Sequence, residues 1–261
     1  MVLPALLFAL PLVTALVLLV NRNPAVRNTL VRVSALLMAA LSVAVGVMYF
    51  GHPFKIGVDS PLVRLVMMAV DGLAALTVLY FCVKYKRYLT ALLGLLQFFL
   101  IVAFEFHSGS YARSVWDFNI DNLAIIMILI AGIIGGLIAV YSLGYMAVYH
   151  RKHVDVKDRR SFFFFVVFLF LSAMFGLVMS NNLLYMYTFW EITSLCSFLL
   201  IGYSGTNEAI HNSFKALWMN LLGGLAFAMA IAYLGDHFYT LELSQLLSMG
   251  MQQMPVEPVV A

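Results

Sequence analysis

The chain has 261 residues, of which 64% are hydrophobic and 10% are charged. A soluble domain carries roughly 25% charged residues, so this composition excludes an ordinary water-soluble globule. Its two cysteines, Cys82 and Cys196, are too few for a disulfide scaffold. The net charge of +3 comes from short basic clusters between long apolar runs, which argues against a nucleic-acid-binding protein. The composition therefore indicates an integral membrane protein.

The apolar runs predict an all-α fold of transmembrane helices, each needing about 20 mostly apolar residues to cross a bilayer. Met1–Asn21 is uncharged and lacks the basic segment of a cleaved signal peptide, so we expect it to remain as a helix. Asn181-Asn182 divides a long run into two helices, because asparagine tolerates turn geometry. The sequence predicts eight helices, at 2–20, 33–51, 62–83, 88–106, 120–142, 162–180, 183–203 and 213–234.

Basic residues predict the orientation, because Lys and Arg accumulate in short cytoplasmic loops. With eight spans, twelve basic residues fall on one side and three on the other, namely Lys55, Arg64 and Arg113. We therefore expect both termini to be extracytoplasmic. The largest connection, Gly144–Arg160, is basic; it is either an orientation signal or a contact with a cytoplasmic partner subunit.

Glu191 is the strongest candidate functional residue, because it lies about nine residues into the predicted seventh helix. An ionisable group at mid-bilayer costs roughly 2.5–3.5 kcal/mol on insertion scales, and it usually serves a function. Thr188 and Ser194 share its helical face at i−3 and i+3. We expect this polar face to hold a carboxylate that loads and releases a proton; the alternative is a structural glutamate hydrogen-bonded within the bundle.

Three further residues are weaker candidates for ion translocation. Asp71 lies near the middle of the third predicted span, where it serves either ion transfer or helix packing. Lys215 is predicted two residues inside the eighth helix, where it either snorkels to the interface or passes protons between the cytoplasm and Glu191. His211, near the mouth of that helix, is either a proton relay or an exposed surface residue.

The sequence contains no Walker loop, dinucleotide-binding fingerprint or Cys-x-x-Cys motif. His150 and His153 lack the carboxylate or thiol neighbours of a convincing metal site. We therefore expect no catalytic centre, metal or cofactor in this chain.

Three blocks in the second half of the chain form a recognisable pattern. The first surrounds Glu191 and reads Ser-Asn-Asn-Leu-Leu-Tyr-Met at 180–186, Phe-Trp-Glu-Ile at 189–192 and Leu-Cys-Ser-Phe-Leu-Leu-Ile-Gly at 195–202. The second opens with Asp-Asn-Leu at 121–123 and closes with Tyr-Ser-Leu-Gly-Tyr-Met at 141–146. The third reads Asn-Ser-Phe-Lys-Ala-Leu at 212–217, followed by Asn220 and Gly223-Gly224.

This pattern resembles the antiporter-like family, which includes the large proton-pumping subunits of respiratory complex I, Mrp-type cation/proton antiporters and subunits of energy-converting membrane hydrogenases. The resemblance implies that Glu191 is the family's key intramembrane glutamate and Lys215 its companion lysine. It covers residues 117–241, the start of the antiporter-like core. Residues 1–116 would form a four-span N-terminal region and residues 242–261 a tail or connection. The extra spans within 62–106 look more like the hydrogenase branch than standard complex I.

The resemblance also implies partners. The family pairs its glutamate with a lysine on a later, broken helix, which these 261 residues do not reach, so we expect another membrane subunit to supply the later helices. Iron–sulfur and nickel–iron or flavin centres would lie on peripheral redox subunits at the cytoplasmic side, and the chain itself would contact the lipid bilayer but no nucleic acid.

The predicted function is a proton- or sodium-translocating subunit, itself without redox chemistry, of a redox-driven complex in the cell membrane, of the membrane-bound hydrogenase or complex I type. One alternative is an Mrp-like antiporter module without redox chemistry. A second alternative is a membrane anchor or assembly subunit that transports nothing.

Overall fold

The computed structural model describes residues 2–21, 23–58, 60–108, 114–153 and 156–253. These ranges are largely helical, with two short paired strands, β1 (Phe54–Ile56) and β2 (Phe118–Ile120). The helices are α1 (Val2–Val20), α2 (Pro24–Tyr49), α3 (Pro61–Lys84), α4 (Tyr88–Ser108), α5 (Asn122–Leu129), α6 (Gly135–Lys152), α7 (Arg160–Met179), α8 (Leu183–Ile201), α9 (Asn207–Phe238) and α10 (Leu243–Gln253). A π-helical turn, Ile130–Ile134, joins α5 to α6, so these two form one continuous rod.

Within the described ranges, eight helical segments are long and apolar enough to cross a membrane. They are α1, α2, α3, α4, the α5–α6 rod, α7, α8 and α9. The predicted all-α membrane fold with eight transmembrane helices is confirmed.

The second helix begins earlier than predicted. It starts at Pro24 rather than at residue 33, because the Asn23 side chain accepts a hydrogen bond from the Ala25 amide and proline suits the first helical turn. Arg27 and Arg32 therefore belong to the helix and not to a loop. Arg27 is buried, and its guanidinium lies 6.0 Å from the ring centre of Phe164.

The α5–α6 rod continues to Lys152, so the first half of the predicted Gly144–Arg160 connection is helical. Tyr141, Tyr145 and Tyr149 stack at four-residue spacing, with ring centres 6.4 and 6.2 Å apart, and such pairs support a helix. The helix ends at residues 151 and 152, about ten residues beyond its predicted end at residue 142.

The last transmembrane helix also exceeds its predicted bounds of 213–234. The Thr206 hydroxyl accepts a hydrogen bond from the Ala209 amide at 3.2 Å, which caps a helix that begins at Asn207. The helix then runs to Phe238, for 32 residues in all. Lys215 is therefore its ninth residue, and the prediction that this lysine lies two residues inside the helix is wrong.

The chain divides into two compact units, of which unit 1 comprises residues 1–54, 120–179 and 189–220. In unit 1, α1 packs against α2 and α7, and α2 packs against the α5–α6 rod. The approach of α2 to the rod is close at Gly132, where an added Cβ would lie 2.7 Å from Cβ of Ser42 and 3.3 Å from the Met38 carbonyl oxygen. Gly132 therefore allows α2 and the rod to pack tightly.

Unit 2 comprises residues 55–119, 180–188 and 221–261. It contains the α3–α4 hairpin, the first turns of α8, the second half of α9, and α10. Its apolar core is formed by Ile101, Phe104, Leu183, Tyr187, Ala228, Ile231, Leu241 and Leu246. The predicted boundaries at residues 116 and 241 follow family resemblance rather than packing, and they stay a prediction.

Candidate ion-translocation site

Glu191 is the ninth of the 19 residues of α8, so it lies near the middle of a transmembrane helix, as predicted. Its side chain is partly buried. Thr188 and Ser194, three residues before and after it, are both buried. The predicted polar face of this helix is therefore present as a continuous stripe along α8.

Asp71 contacts that stripe. Its Oδ2 accepts a hydrogen bond of 2.9 Å from the Thr188 hydroxyl, within unit 2. The same hydroxyl lies 3.2 Å from the carbonyl oxygen of Leu184, one turn earlier on α8. Asp71 is the eleventh of the 24 residues of α3, as expected from the sequence. The structure thus joins two of the predicted site residues through a short polar contact.

A cleft in unit 2 surrounds this contact. Its charged and polar lining residues are Arg64, Asp71, Glu105, Tyr185 and Thr188, and the remaining wall is apolar. Arg64 Nε lies 3.7 Å from Glu105 Oε1. The cleft therefore holds a basic and an acidic residue beyond the predicted set.

The sequence analysis did not select Glu105, although one signal points to it. The connection between α3 and α4 is three residues long, so the two helices form an antiparallel hairpin. Arg64 lies in the first turn of α3 and Glu105 in the last turn of α4, so the hairpin places these opposite charges at the same end. A search for opposite charges across short hairpins would have found the pair.

A second cleft of unit 2 adjoins the first, because Arg64 and Tyr185 line both. Its other polar wall residues include Asp117 and Asn182, and both are buried. Asp117 accepts two hydrogen bonds of 2.8 Å, one on each carboxylate oxygen, from the Val58 amide and from Nδ2 of Asn182.

Asn181 and Asn182 join α7 to α8 differently from the predicted turn. Neither residue has a positive φ, and the backbone here is extended, with bridges from Ser180 to Phe118 and from Asn182 to Glu242. Asn181 Nδ2 donates to the Trp116 carbonyl at 2.8 Å, and Asn181 Oδ1 accepts from the Ser244 amide at 3.0 Å. The two asparagines lie between α7 and α8, as predicted, and they also form a clamp between distant loops.

Lys215 and Glu191 both lie in unit 1, where the packing of α8 against α9 sets their separation. The rings of Phe198 and Phe214 are 5.1 Å apart, and Ser213 faces Gly202. At 1.5 Å per residue, this register places Lys215 about 10 Å from Glu191 along the helix axes. Because α9 begins at Asn207, its first turns project beyond the end of α8.

Lys215 and His211 are exposed on the surface of α9. His211 lies one turn before Lys215 on the same helix. The exposure of His211 is compatible with both predicted roles, a proton relay and a surface residue. Lys215 is not covered by other parts of this chain, so another subunit can reach its ammonium group.

A polar cluster in unit 1 organises the connection between α6 and α7. His150 Nε2 lies 2.8 Å from the Tyr203 hydroxyl, and Arg159 donates to the Tyr203 carbonyl at 2.9 Å. Hydrogen bonds from the Arg160 side chain lower the pKa of Asp158 to about 2. His150 thus serves a structural contact. In the described ranges, no group of three or more His, Cys, Asp or Glu residues is arranged to hold a metal ion.

Eight transmembrane helices and a carboxylate within a polar helix face define a multi-pass helical membrane protein with an intramembrane acid. Two family models match it: "NADH:quinone oxidoreductase/Mrp antiporter, TM" over residues 180–259, and "NADH-Ubiquinone oxidoreductase (complex I), chain 5 N-terminus" over residues 106–155. In these two segments the chain matches the antiporter-like family that the sequence predicts, and it is homologous there to Mrp and complex I subunits.

The curated relatives are larger proteins. An antiporter subunit of Staphylococcus haemolyticus is 39% identical over 111 residues, and a Na(+)/H(+) antiporter subunit A1 of the same species is 36% identical over 112. A Na(+)/H(+) antiporter subunit A1 of Staphylococcus aureus is 34% identical over 112 residues. Each match covers 42% of this chain and 13% of the relative. The chain therefore corresponds to a small part of those proteins.

A solved structure shares the fold. The chain is similar to one chain of the membrane-bound sulfane sulfur reductase, an archaeal respiratory membrane complex, with a TM-score of 0.59 and 18% sequence identity. The match covers 93% of this chain and 39% of that chain. The likeness extends beyond residues 117–241 and includes the N-terminal helices that the sequence motifs do not reach.

Proposed function

We propose that this chain is an ion-translocating membrane subunit in which Glu191 is the proton-loading carboxylate. The observation that carries the proposal is the place of Glu191 at mid-helix, on the polar face of α8, inside the segment that matches the antiporter family model. A carboxylate at this depth is costly unless a proton or a cation compensates it. Uptake and release of one proton therefore change its free energy strongly, as a translocating group requires.

Lys215 is proposed as the second charged group. Its ammonium starts about 10 Å from Glu191 along the helix axes, a gap that a flexible four-carbon side chain and a water chain can bridge. Approach of the ammonium stabilises the carboxylate and promotes proton release, and withdrawal favours the neutral acid. Ser194 holds water or hydrogen-bonds the carboxylate along the same face, whereas Thr188 donates to Asp71. His211 lies toward the predicted cytoplasmic mouth.

We propose that a redox-driven complex, of membrane-bound hydrogenase or complex I type, supplies the energy. The fold likeness to a chain of an archaeal respiratory membrane complex supports this setting. Iron–sulfur and nickel–iron or flavin centres would then belong to peripheral subunits on the cytoplasmic side. Because this chain matches 13% of its curated relatives' length, we further propose that another membrane segment supplies the later helices, with a lysine that approaches Glu191.

A second candidate is an Mrp-like antiporter module without redox chemistry. It is favoured by the relatives that share 34–36% identity and are named Na(+)/H(+) antiporter subunits. The two candidates differ in energy source, since an antiporter exchanges sodium for protons with no electron donor.

The experiment that tests the proposal uses inverted membrane vesicles containing the native complex and a pH-sensitive dye. A redox-driven subunit predicts acidification of the vesicle interior when an electron donor is added, and none when only a sodium gradient is imposed. The antiporter candidate predicts a pH change inside the vesicles when a sodium gradient is imposed, and none when only an electron donor is added. Absence of proton movement under both conditions contradicts ion translocation by this chain.

A further inference from the structure

Two acidic residues of the α3–α4 hairpin, Asp71 and Glu105, lie outside the region of the Glu191 motif and line one cleft. Asp71 and Arg64 are seven residues apart on α3, so they lie on one face, about 10 Å from each other along the axis. Glu105 on α4 faces Arg64 at 3.7 Å. All three residues line one cleft, together with Tyr185 and Thr188 of α8.

We propose that this cleft is a proton-exchange route, in which Glu105 is the outer group and Asp71 the inner group. The route opens at the end of the hairpin where α3 begins and α4 ends, the side that the basic residues predict to be extracytoplasmic. The inference rests on the proposed function, because it names the path by which protons reach or leave the membrane interior.

The outer part of the route is polar. The adjoining cleft shares Arg64 and Tyr185 and is also lined by Asp117, Asn182 and Ser114. The hydroxyl oxygen of Ser114 is buried and has no hydrogen-bond partner within the described part of the chain. A buried hydroxyl of this kind is normally satisfied by water. A hydrated vestibule therefore leads to the Arg64–Glu105 pair.

Arg64 is the most exposed charged residue of the route, and Asp71 is partly exposed. The Arg64 side chain is 43% exposed and Glu105 is 17% exposed. Further in, the Thr188 residue that binds Asp71 is 1% exposed. Glu105 can thus exchange protons with the vestibule, and Asp71, which is partly exposed, lies about two turns further along α3 in the same cleft.

The transfer step needs no oxidant or reductant. The neutral Glu105 carboxyl releases its proton to water in the cleft, that water passes a proton inward, and the Asp71 carboxylate accepts it. The Arg64 guanidinium stabilises the Glu105 carboxylate that remains. The reverse sequence releases a proton outward. Met67 and Met68 belong to the apolar wall of the cleft.

Thr188 is suited to follow the charge of Asp71. Its hydroxyl has two acceptors, Asp71 Oδ2 at 2.9 Å and the Leu184 carbonyl oxygen at 3.2 Å. When Asp71 takes up a proton, the Thr188 hydroxyl can donate to the Leu184 carbonyl oxygen instead, so the Thr188 hydroxyl keeps an acceptor. Thr188 precedes Glu191 by three residues on α8, so the route ends one helical turn before the proton-loading residue.

The first test measures access of water without measuring transport. In the native complex, with Cys82 and Cys196 replaced by alanine, Val102→Cys places a thiol on the cleft wall. Phe99→Cys is the matched control, because Phe99 is 70% exposed on the same helix and does not line the cleft. Thiols react as thiolates, which form in water and not in lipid. A charged, impermeant thiol reagent is applied from each side of the membrane.

We expect Val102→Cys to react from the predicted extracytoplasmic side about tenfold faster than Phe99→Cys, since only a hydrated thiol ionises. Met67→Cys on α3 is a second probe of the same wall and should behave like Val102→Cys. Equal rates for these probes and for Phe99→Cys would overturn the proposed route.

The second test measures proton translocation in vesicles. Asp71→Asn should lower the initial rate about a hundredfold, and Asp71→Glu should restore most of it, because removal of a proton-transfer group typically costs 10²–10⁴-fold. Glu105→Gln should lower the rate about tenfold, since water in the vestibule partly replaces an outer group. Glu208→Gln, an exposed glutamate at the start of α9, is the control.

The outcomes separate the two proposals. If Glu191→Gln stops translocation while Asp71→Asn retains the wild-type rate, the route is wrong and the proposed function stands. If translocation is absent in the wild-type complex, the proposed function fails, and the cysteine reactivities still decide whether the cleft is a hydrated route.

Discussion

The Thr188 hydroxyl donates a hydrogen bond of 2.9 Å to the Asp71 carboxylate. This contact links a helix of the N-terminal hairpin to the helix that carries the family's glutamate, through residues 117 positions apart in the chain. Asp71 lies in a segment outside the two family-model matches. The contact therefore connects that segment to the polar face of α8.

The contact itself can be tested by removing the hydroxyl. Thr188→Val keeps the branched shape but removes the hydrogen bond from residue 188 to Asp71 Oδ2. Loss of a hydrogen bond to a charged group typically lowers the free energy of unfolding by about 1–3 kcal/mol. Thr77→Val on α3 is the control, because the Thr77 hydroxyl bonds to the Leu73 carbonyl of its own helix. Thermal unfolding in detergent should show a clear loss of stability for Thr188→Val. Equal melting temperatures for the two variants would contradict the contact.

The packing of α2 against the α5–α6 rod predicts a second difference in stability. Gly132→Ala places a Cβ 2.7 Å from Cβ of Ser42, so the helices must separate, and overpacking of this kind typically costs about 1–3 kcal/mol. Gly144→Ala on the same rod meets no atom within 4 Å, and it should be neutral or stabilising by up to about 1 kcal/mol. The melting temperatures of the two variants report the difference. A neutral Gly132→Ala would show that the helices are not in close contact there.

Asp117 accepts a hydrogen bond from Asn182, one of the two clamp asparagines, so its substitution tests the clamp. Its two carboxylate oxygens accept one N–H donor each, whereas asparagine has one oxygen and would turn its NH₂ group toward a donor. Asp117→Asn should therefore lower the free energy of unfolding by about 1–3 kcal/mol. Asp121→Asn is the control, because Asp121 caps α5 with one oxygen and asparagine caps helices equally well. Chemical denaturation of both variants should separate them; similar stabilities would mean that the clamp is not a buried network.

The predicted orientation places Lys152, at the end of α6, in the cytoplasm. In a background without Cys82 and Cys196, Lys152→Cys should resist an impermeant thiol reagent in intact cells and react once the cells are opened. The exposed position of residue 152 keeps the thiol accessible to water. Labelling of this cysteine from outside intact cells would reverse the assigned topology.

The number and positions of the transmembrane helices are predictable from this sequence, because a run of about 20 apolar residues is typical of a membrane-spanning helix. The helix ends are less predictable. A helix continues past the end of its apolar run where a cap or side-chain stacking supports it, as the Asn23 cap does for α2 and the stacked tyrosines do for α6. This is why α2, α6 and α9 extend beyond their predicted bounds.

The candidate site was predictable in part. Glu191 and Asp71 are recognisable because a charge within an apolar run is costly. Helical spacing places Thr188 and Ser194 on the same face as Glu191. The contact of Asp71 with Thr188 depends on how distant helices pack, which one sequence does not encode in any local pattern. The roles of Asp117 and Asn181 were missed for the same reason, since their partners are about 60 residues away.

The central claim is that Glu191 changes its charge during ion translocation, and one substitution tests it most directly. Glu191→Gln keeps the size and hydrogen-bonding capacity of the side chain but cannot release a proton. Vesicles with this variant should contain the assembled complex at wild-type levels and should show proton movement reduced at least about a hundredfold, while Glu208→Gln retains the wild-type rate. A Glu191→Gln complex that still builds a wild-type proton or sodium gradient would contradict the claim.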